Sequence, residues 1–169
     1  MKIFLFLILF SLPLFPVNFN SCDKILSRSL DQIGFKDSVA SAKEFAKLYN
    51  EYKNKTNIEK CVLDFVKTDC NKNYWVGIFL YEPFFTDIQN YPLAEKIFQS
   101  GIKRCSTTCD EIRFKAMFGL LLMRQKKLNY AKKNFVEAAD ANKKTQGECW
   151  PAMTEEESNF IEKEFGVKP

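Results

Sequence analysis

The run Gly119-Leu-Leu-Leu-Met-Arg-Gln-Lys-Lys-Leu128-Asn-Tyr-Ala131-Lys-Lys-Asn-Phe135-Val-Glu-Ala138 decides how this chain folds. Ala131, Phe135 and Ala138 stand at spacings of four and three, so they share one face of a helix. Gly119, Leu122, Gln125 and Leu128 come ahead of them. A small residue where two helices must approach, and an aromatic one where the gap needs filling, is the packing logic of a helix pair. Moved upstream, the same frame finds Tyr91, Ala94, Phe98 and Gly101, and moved again it finds Ile58, Cys61, Phe65 and Thr68. The anchors at 61, 94 and 131 lie 33 and 37 residues apart, which marks an internal repeat.

These residues resemble the tetratricopeptide repeat, with its period of about 34 residues, a small residue at the eighth position, Ala at the twentieth, an aromatic at the twenty-fourth and Ala at the twenty-seventh. The resemblance covers about residues 38–144. It implies an all-α fold, a right-handed stack of about three helix-turn-helix repeats forming an α-solenoid, with a short N-terminal helix and a C-terminal capping helix. Tyr49 and Glu82 stand where the family prefers Gly or Ala, and Pro83 falls inside the second repeat's first helix. Cysteine-rich Sel1-like repeats are similar, but the glycine pattern of their inter-helix turn is missing. An irregular helical bundle built from the same helices remains the alternative.

Other signals predict helices in the same places. From Ser38 to Lys53, Val39, Ala42, Phe45, Ala46, Leu48, Tyr49 and Tyr52 recur on a helical face. Asp110 is placed to cap a helix beginning at Glu111, and Thr154 with Glu157 forms a capping box opening a last helix. With a short helix near 23–33 ending at Gly34, the chain reads as about eight helices. No stretch shows strand alternation with hairpin turns.

The N-terminus has one charge, Lys2, before the unbroken apolar run Ile3–Phe10, which reads as an export signal. Ser11, Pro13 and Pro16 interrupt the run before the roughly 20 residues a membrane span needs. Phe19-Asn20-Ser21-Cys22 resembles the relaxed lipobox of spirochaete lipoproteins, which implies a lipid-anchored Cys22. The alternative is a secreted protein cut nearby, with Cys22 in a disulfide. The expected organisation is a signal peptide over 1–21, a lipidated N-terminus and short helix over 22–37, repeats over 38–144, and a linker with capping helix over 145–169.

Composition narrows the function. The net charge of +4, with both signs mixed, is far from the concentrated basic face of a nucleic-acid binder. The chain has no histidine, which removes the commonest general base and metal ligand. The acidic clusters Glu155–Glu157 and Glu162–Glu164 read as a solvated helix face, and the six glycines form no phosphate loop. The reading is therefore no catalytic residue, no cofactor and no metal site. Export favours disulfides over zinc for the six cysteines.

The resemblance also implies a concave groove for a protein or peptide partner in the cell envelope, lined from the first helix of each pair. Carried over, its positions are Lys43, Ala46, Asn50 and Asn54; Val76, Phe79, Pro83 and Asp87; and Arg113, Ala116, Leu120 and Arg124. Lys43, Asn50, Phe79, Arg113, Leu120 and Arg124 are the candidate partner-binding residues. The rival expectation is a structural or surface-displayed adhesive lipoprotein with no groove. Within the repeat frame, Cys61 takes the place of the motif's Ala and is expected buried and free. Cys70, Cys105, Cys109 and Cys149 then fall along one edge, which favours Cys70 with Cys105 and Cys109 with Cys149. A local Cys105–Cys109 bond is the competing scheme.

Overall fold

The computed structural model describes residues 24–34, 39–82, 87–105 and 107–168. The described residues form eight helices and no strand: α1 (Lys24–Gln32), α2 (Val39–Tyr52), α3 (Ile58–Val66), α4 (Cys70–Phe79), α5 (Tyr91–Arg104), α6 (Thr108–Arg124), α7 (Leu128–Lys143) and α8 (Glu155–Phe165). The expected export signal and Cys22 lie outside the described residues.

Short polar side chains start most of these helices by accepting from otherwise unpaired backbone N–H groups. Asn57 caps α3, Asp69 caps α4 and Asn90 caps α5, whose first turn also holds Pro92. Thr154 and Glu157 form the expected capping box of α8, and Gly166 ends that helix in the left-handed conformation at φ 68°. The cap of α6 differs from expectation. Thr107, not Asp110, is the cap, and it accepts from the Asp110 N–H at 3.1 Å. Threonine at the N-cap leaves Asp110 in the first turn, where its charge still favours the helix dipole.

The closest helix approaches run in order, α4 on α5, α5 on α6 and α6 on α7. Glycines make these approaches possible. A Cβ on Gly119 would stand 2.8 Å from the Phe135 ring, and one on Gly77 would stand 2.7 Å from the Phe98 ring. Gly101 likewise takes the ring of Phe114 against its backbone. Phe98, Phe114 and Phe135 are all fully buried, and Tyr81, Phe114 and Phe118 surround Phe98 at centroid distances of 5.9, 6.4 and 6.4 Å. The core is thus a row of aromatic rings seated on bare backbone, which gives close packing between neighbouring helices.

That row corrects the register of the second pair. Gly119 and Phe135 are sixteen residues apart, whereas Gly77 and Phe98 are twenty-one apart. Five extra residues therefore sit between α4 and α5, and the small residue expected at Glu82 is Gly77. The helix α4 ends at Phe79, so Pro83 does not lie within it; Pro83 itself lies outside the described residues.

Two disulfides tie successive helix ends together. Cys70 at the start of α4 bonds Cys105 at the end of α5, with Cα atoms 5.9 Å apart, and Cys109 in the first turn of α6 bonds Cys149 beyond α7, at 4.8 Å. Both are the pairings favoured by the repeat frame, and the local Cys105–Cys109 scheme is excluded. Cys61 is buried as expected, yet it is disulfide-bonded and not free. A thiol in the small-residue position satisfies the packing requirement and still has its sulfur available for a bond.

Candidate functional site

One concave face carries the features that the core does not use. Its floor is α6. From Ala116 to Leu122 every α6 residue is buried, because α4, α5 and α7 all pack against this helix. Arg113, Met117, Met123 and Arg124 are what it presents to the groove. The second wall is α4, through Tyr74, Trp75 and Ile78, with Glu82 just beyond its end. The third wall comes from the chain after α7. Trp150, Pro151 and Ala152 face Arg113, and Thr154, Glu157 and Phe160 face Arg124.

A charged rung divides this groove. An Arg124 Nη donates to Glu157 at 3.1 Å and lies 3.9 Å from the Glu82 carboxylate, with the guanidinium 5.4 Å from the centroid of the Tyr81 ring. On one side is a cleft of about 420 Å³ with Trp75, Tyr74, Met117 and Trp150; on the other is one of about 440 Å³ with Met123 and Phe160. Glu82 borders both. The larger cleft, about 740 Å³ beside α7 and Phe165, is remote from this face, and its Lys143 is already paired with Asp140 at 2.8 Å.

Electrostatics follow from burial. Desolvation raises the Glu82 carboxyl above the ordinary glutamate range, opposed by Arg124 and reinforced by Glu157, and burial pushes the Tyr81 phenol well above its ordinary value. A carboxyl raised in the folded state takes up its proton more readily there than in the unfolded chain. Stability from this group therefore increases as pH falls through the folded pKa towards the unfolded value, and the strain of the charged form is present above it. Glu82→Gln is expected to flatten that gain in melting temperature as pH falls towards the ordinary glutamate range, while Arg124 keeps Glu157. A series of thermal melts against pH checks it; an unchanged profile removes Glu82 from the account.

The six expected partner-binding residues divide. Arg113 and Arg124 both reach the groove. Phe79 is buried against Phe45 and Trp75, at 6.0 and 6.2 Å, because the five-residue slip turns it inward; the largely buried Ile78 and the half-buried Glu82 border the cleft instead. Leu120 is buried because it belongs to the enclosed middle of α6. Lys43 and Asn50 lie on α2, away from these clefts. The Asn50 amide donates to the Asp87 carboxylate and its carbonyl accepts from Lys53 at 2.8 Å, so its polar atoms are already engaged. Ala46, Val76 and Ala116 are buried as well. Residue-by-residue reading missed Trp75, Tyr74 and Trp150. Gly77, which seats Phe98 as Gly119 seats Phe135, is the available signal for the first two; nothing in a repeat frame points to Trp150, which follows α7.

Among the described residues no helix is long and apolar enough to cross a membrane. No family model, curated protein or solved structure matches this chain.

Proposed function

We propose that this protein is an exported binding scaffold, a stack of tetratricopeptide-like helix pairs whose concave face holds a peptide segment of an envelope protein. The observation that carries the reading is the agreement of glycine, aromatic ring and groove position in two successive pairs. With Gly77 as the eighth position of the second repeat, its groove positions become Asn71, Tyr74, Ile78 and Glu82. Those are residues of the α4 wall, opposite Arg113 and Arg124 of α6. Helix α8 and residues 150–152 take the place of the next repeat's first helix, as a cap that also completes the groove.

The charge pattern supports a binding role. Arg113 is exposed on the aromatic cleft with no ion pair among the described residues, while Arg124 is held by two carboxylates. A rigid charged floor between aromatic walls suits recognition of a polar chain carrying large side chains. The display or adhesive reading would leave this face without a ligand. Capture from solubilised envelope distinguishes them. Arg113→Glu is expected to lose a defined partner that wild type and a Lys43→Glu variant both retain. Equal recovery by all three would leave the display reading in place. Membrane attachment through a lipid on Cys22 competes with a disulfide at that sulfur, as argued below.

A further inference from the structure

We infer that the groove takes a proline-rich segment in the polyproline II conformation, its acidic flank at Arg113 and its basic flank at Glu156 and Glu157; this rests on the binding reading above. The rung of Glu82, Arg124 and Glu157 crosses the groove and leaves two clefts of about 420 and 440 Å³. A helix of about 10–12 Å diameter does not fit beneath or across such a rung. Strand addition needs a sheet edge, and the described residues contain no strand. A narrow extended chain that places one side chain in each cleft does fit.

Chemistry then selects the conformation. Met117 borders one cleft and Met123 the other, so an extended chain that follows α6 passes both. Tyr74, Trp75 and Trp150 provide the aromatic walls on which proline rings pack, and such helices dock characteristically in aromatic-lined grooves. The backbone of a proline-rich segment offers free carbonyl acceptors. The Trp150 indole N–H and the Arg124 Nε–H, buried at the edges of the clefts, have no acceptor among the described residues. The charges set the direction, with the exposed Arg113 at one end and Glu156 and Glu157 at the other.

Both tryptophans of the chain line the same cleft, so intrinsic fluorescence reads its occupancy directly. The full oxidised protein is titrated with the blocked peptide Ac-Glu-Leu-Pro-Pro-Leu-Pro-Pro-Lys-NH2, with its reverse, with the version carrying Gly for every Pro, and with an amphipathic helical peptide of the same charge. A saturable fluorescence change is expected with the proline peptide in one direction. The glycine version should bind at least about tenfold more weakly, since it must be ordered on binding. Arg113→Glu should weaken the proline peptide about tenfold, while Lys43→Glu leaves it unchanged; Trp150→Phe isolates the Trp75 signal if Trp75 variants do not fold. Equal affinity for the proline and glycine peptides, preference for the helical peptide, or no response to any of them overturns the inference. If envelope capture still depends on Arg113 in that event, the binding reading survives and only the ligand class falls.

Discussion

Truncating Phe98 to alanine is expected to destabilise the protein by about 3–5 kcal/mol, a large fraction of the roughly 5–15 kcal/mol that holds an ordinary domain together. The ring is fully buried and is enclosed by Tyr81, Phe114 and Phe118 on its sides and by the bare backbone of Gly77 beneath. Removing it leaves a cavity that α4, the turn after it and α6 border and that none can fill without moving the others. Phe135→Ala should behave similarly, since its ring sits on Gly119 and stacks on Phe165 at 5.6 Å. Tyr130, an aromatic of the same helix that is 67 % exposed, is the control, and its truncation should fall within about 0.5 kcal/mol. Gly77→Ala tests the register more sharply. Alanine gains about 1 kcal/mol in helix propensity, yet its Cβ would meet the Phe98 ring at 2.7 Å, and overpacking of that kind costs about 1–3 kcal/mol. Net destabilisation supports the seat described here. A clear gain in melting temperature would mean that the ring has room and that the register is wrong.

How far the fold was legible depended on how rigidly the repeat was applied. The third pair was read correctly because Gly119, Ala131, Phe135 and Ala138 keep the spacing of an uninterrupted hairpin, and its connection is only three residues, Gln125–Lys127. The second pair contains the same ring-on-glycine seat, but with five more residues between its helices, and a fixed frame cannot see an insertion. The strain was visible: Glu82 and Pro83 both violated their assigned positions. Allowing the first helix to slide relative to the second would have found Gly77, and with it Tyr74, Ile78 and the α4 wall. Leu120 illustrates a different limit. From Ala116 to Met123 helix α6 is apolar all round, so its sequence says that this stretch is enclosed, and which of its faces meets the groove is decided by the neighbours.

The same repeat frame favours the two disulfides that form, Cys70 with Cys105 and Cys109 with Cys149, whose Cα atoms lie 5.9 and 4.8 Å apart, within bonding range. It erred at Cys61 because tight packing and disulfide formation make compatible demands on a small buried residue. That error bears on the N-terminus. The chain has six cysteines; Cys70 pairs with Cys105, Cys109 pairs with Cys149, and Cys61 is bonded. The one cysteine not yet counted is Cys22, and a sulfur carrying a thioether-linked lipid has no valence left for a disulfide. Non-reducing peptide mapping of the mature protein is therefore expected to recover the two described pairs together with a Cys22–Cys61 peptide, at the unacylated mass. That outcome removes the lipid anchor and leaves a secreted protein stapled at three points. An acylated Cys22 would instead require Cys61 to find its partner in another chain, and a covalent dimer would then run on a non-reducing gel. Replacing Cys109 and Cys149 together by serine should cost about 2–4 kcal/mol whichever result is obtained, because that bond closes a loop of 40 residues independent of the N-terminus. A third result, free Cys61 beside acylated Cys22, would return the chain to the lipid-anchored form expected from its lipobox and would contradict the bond at Cys61.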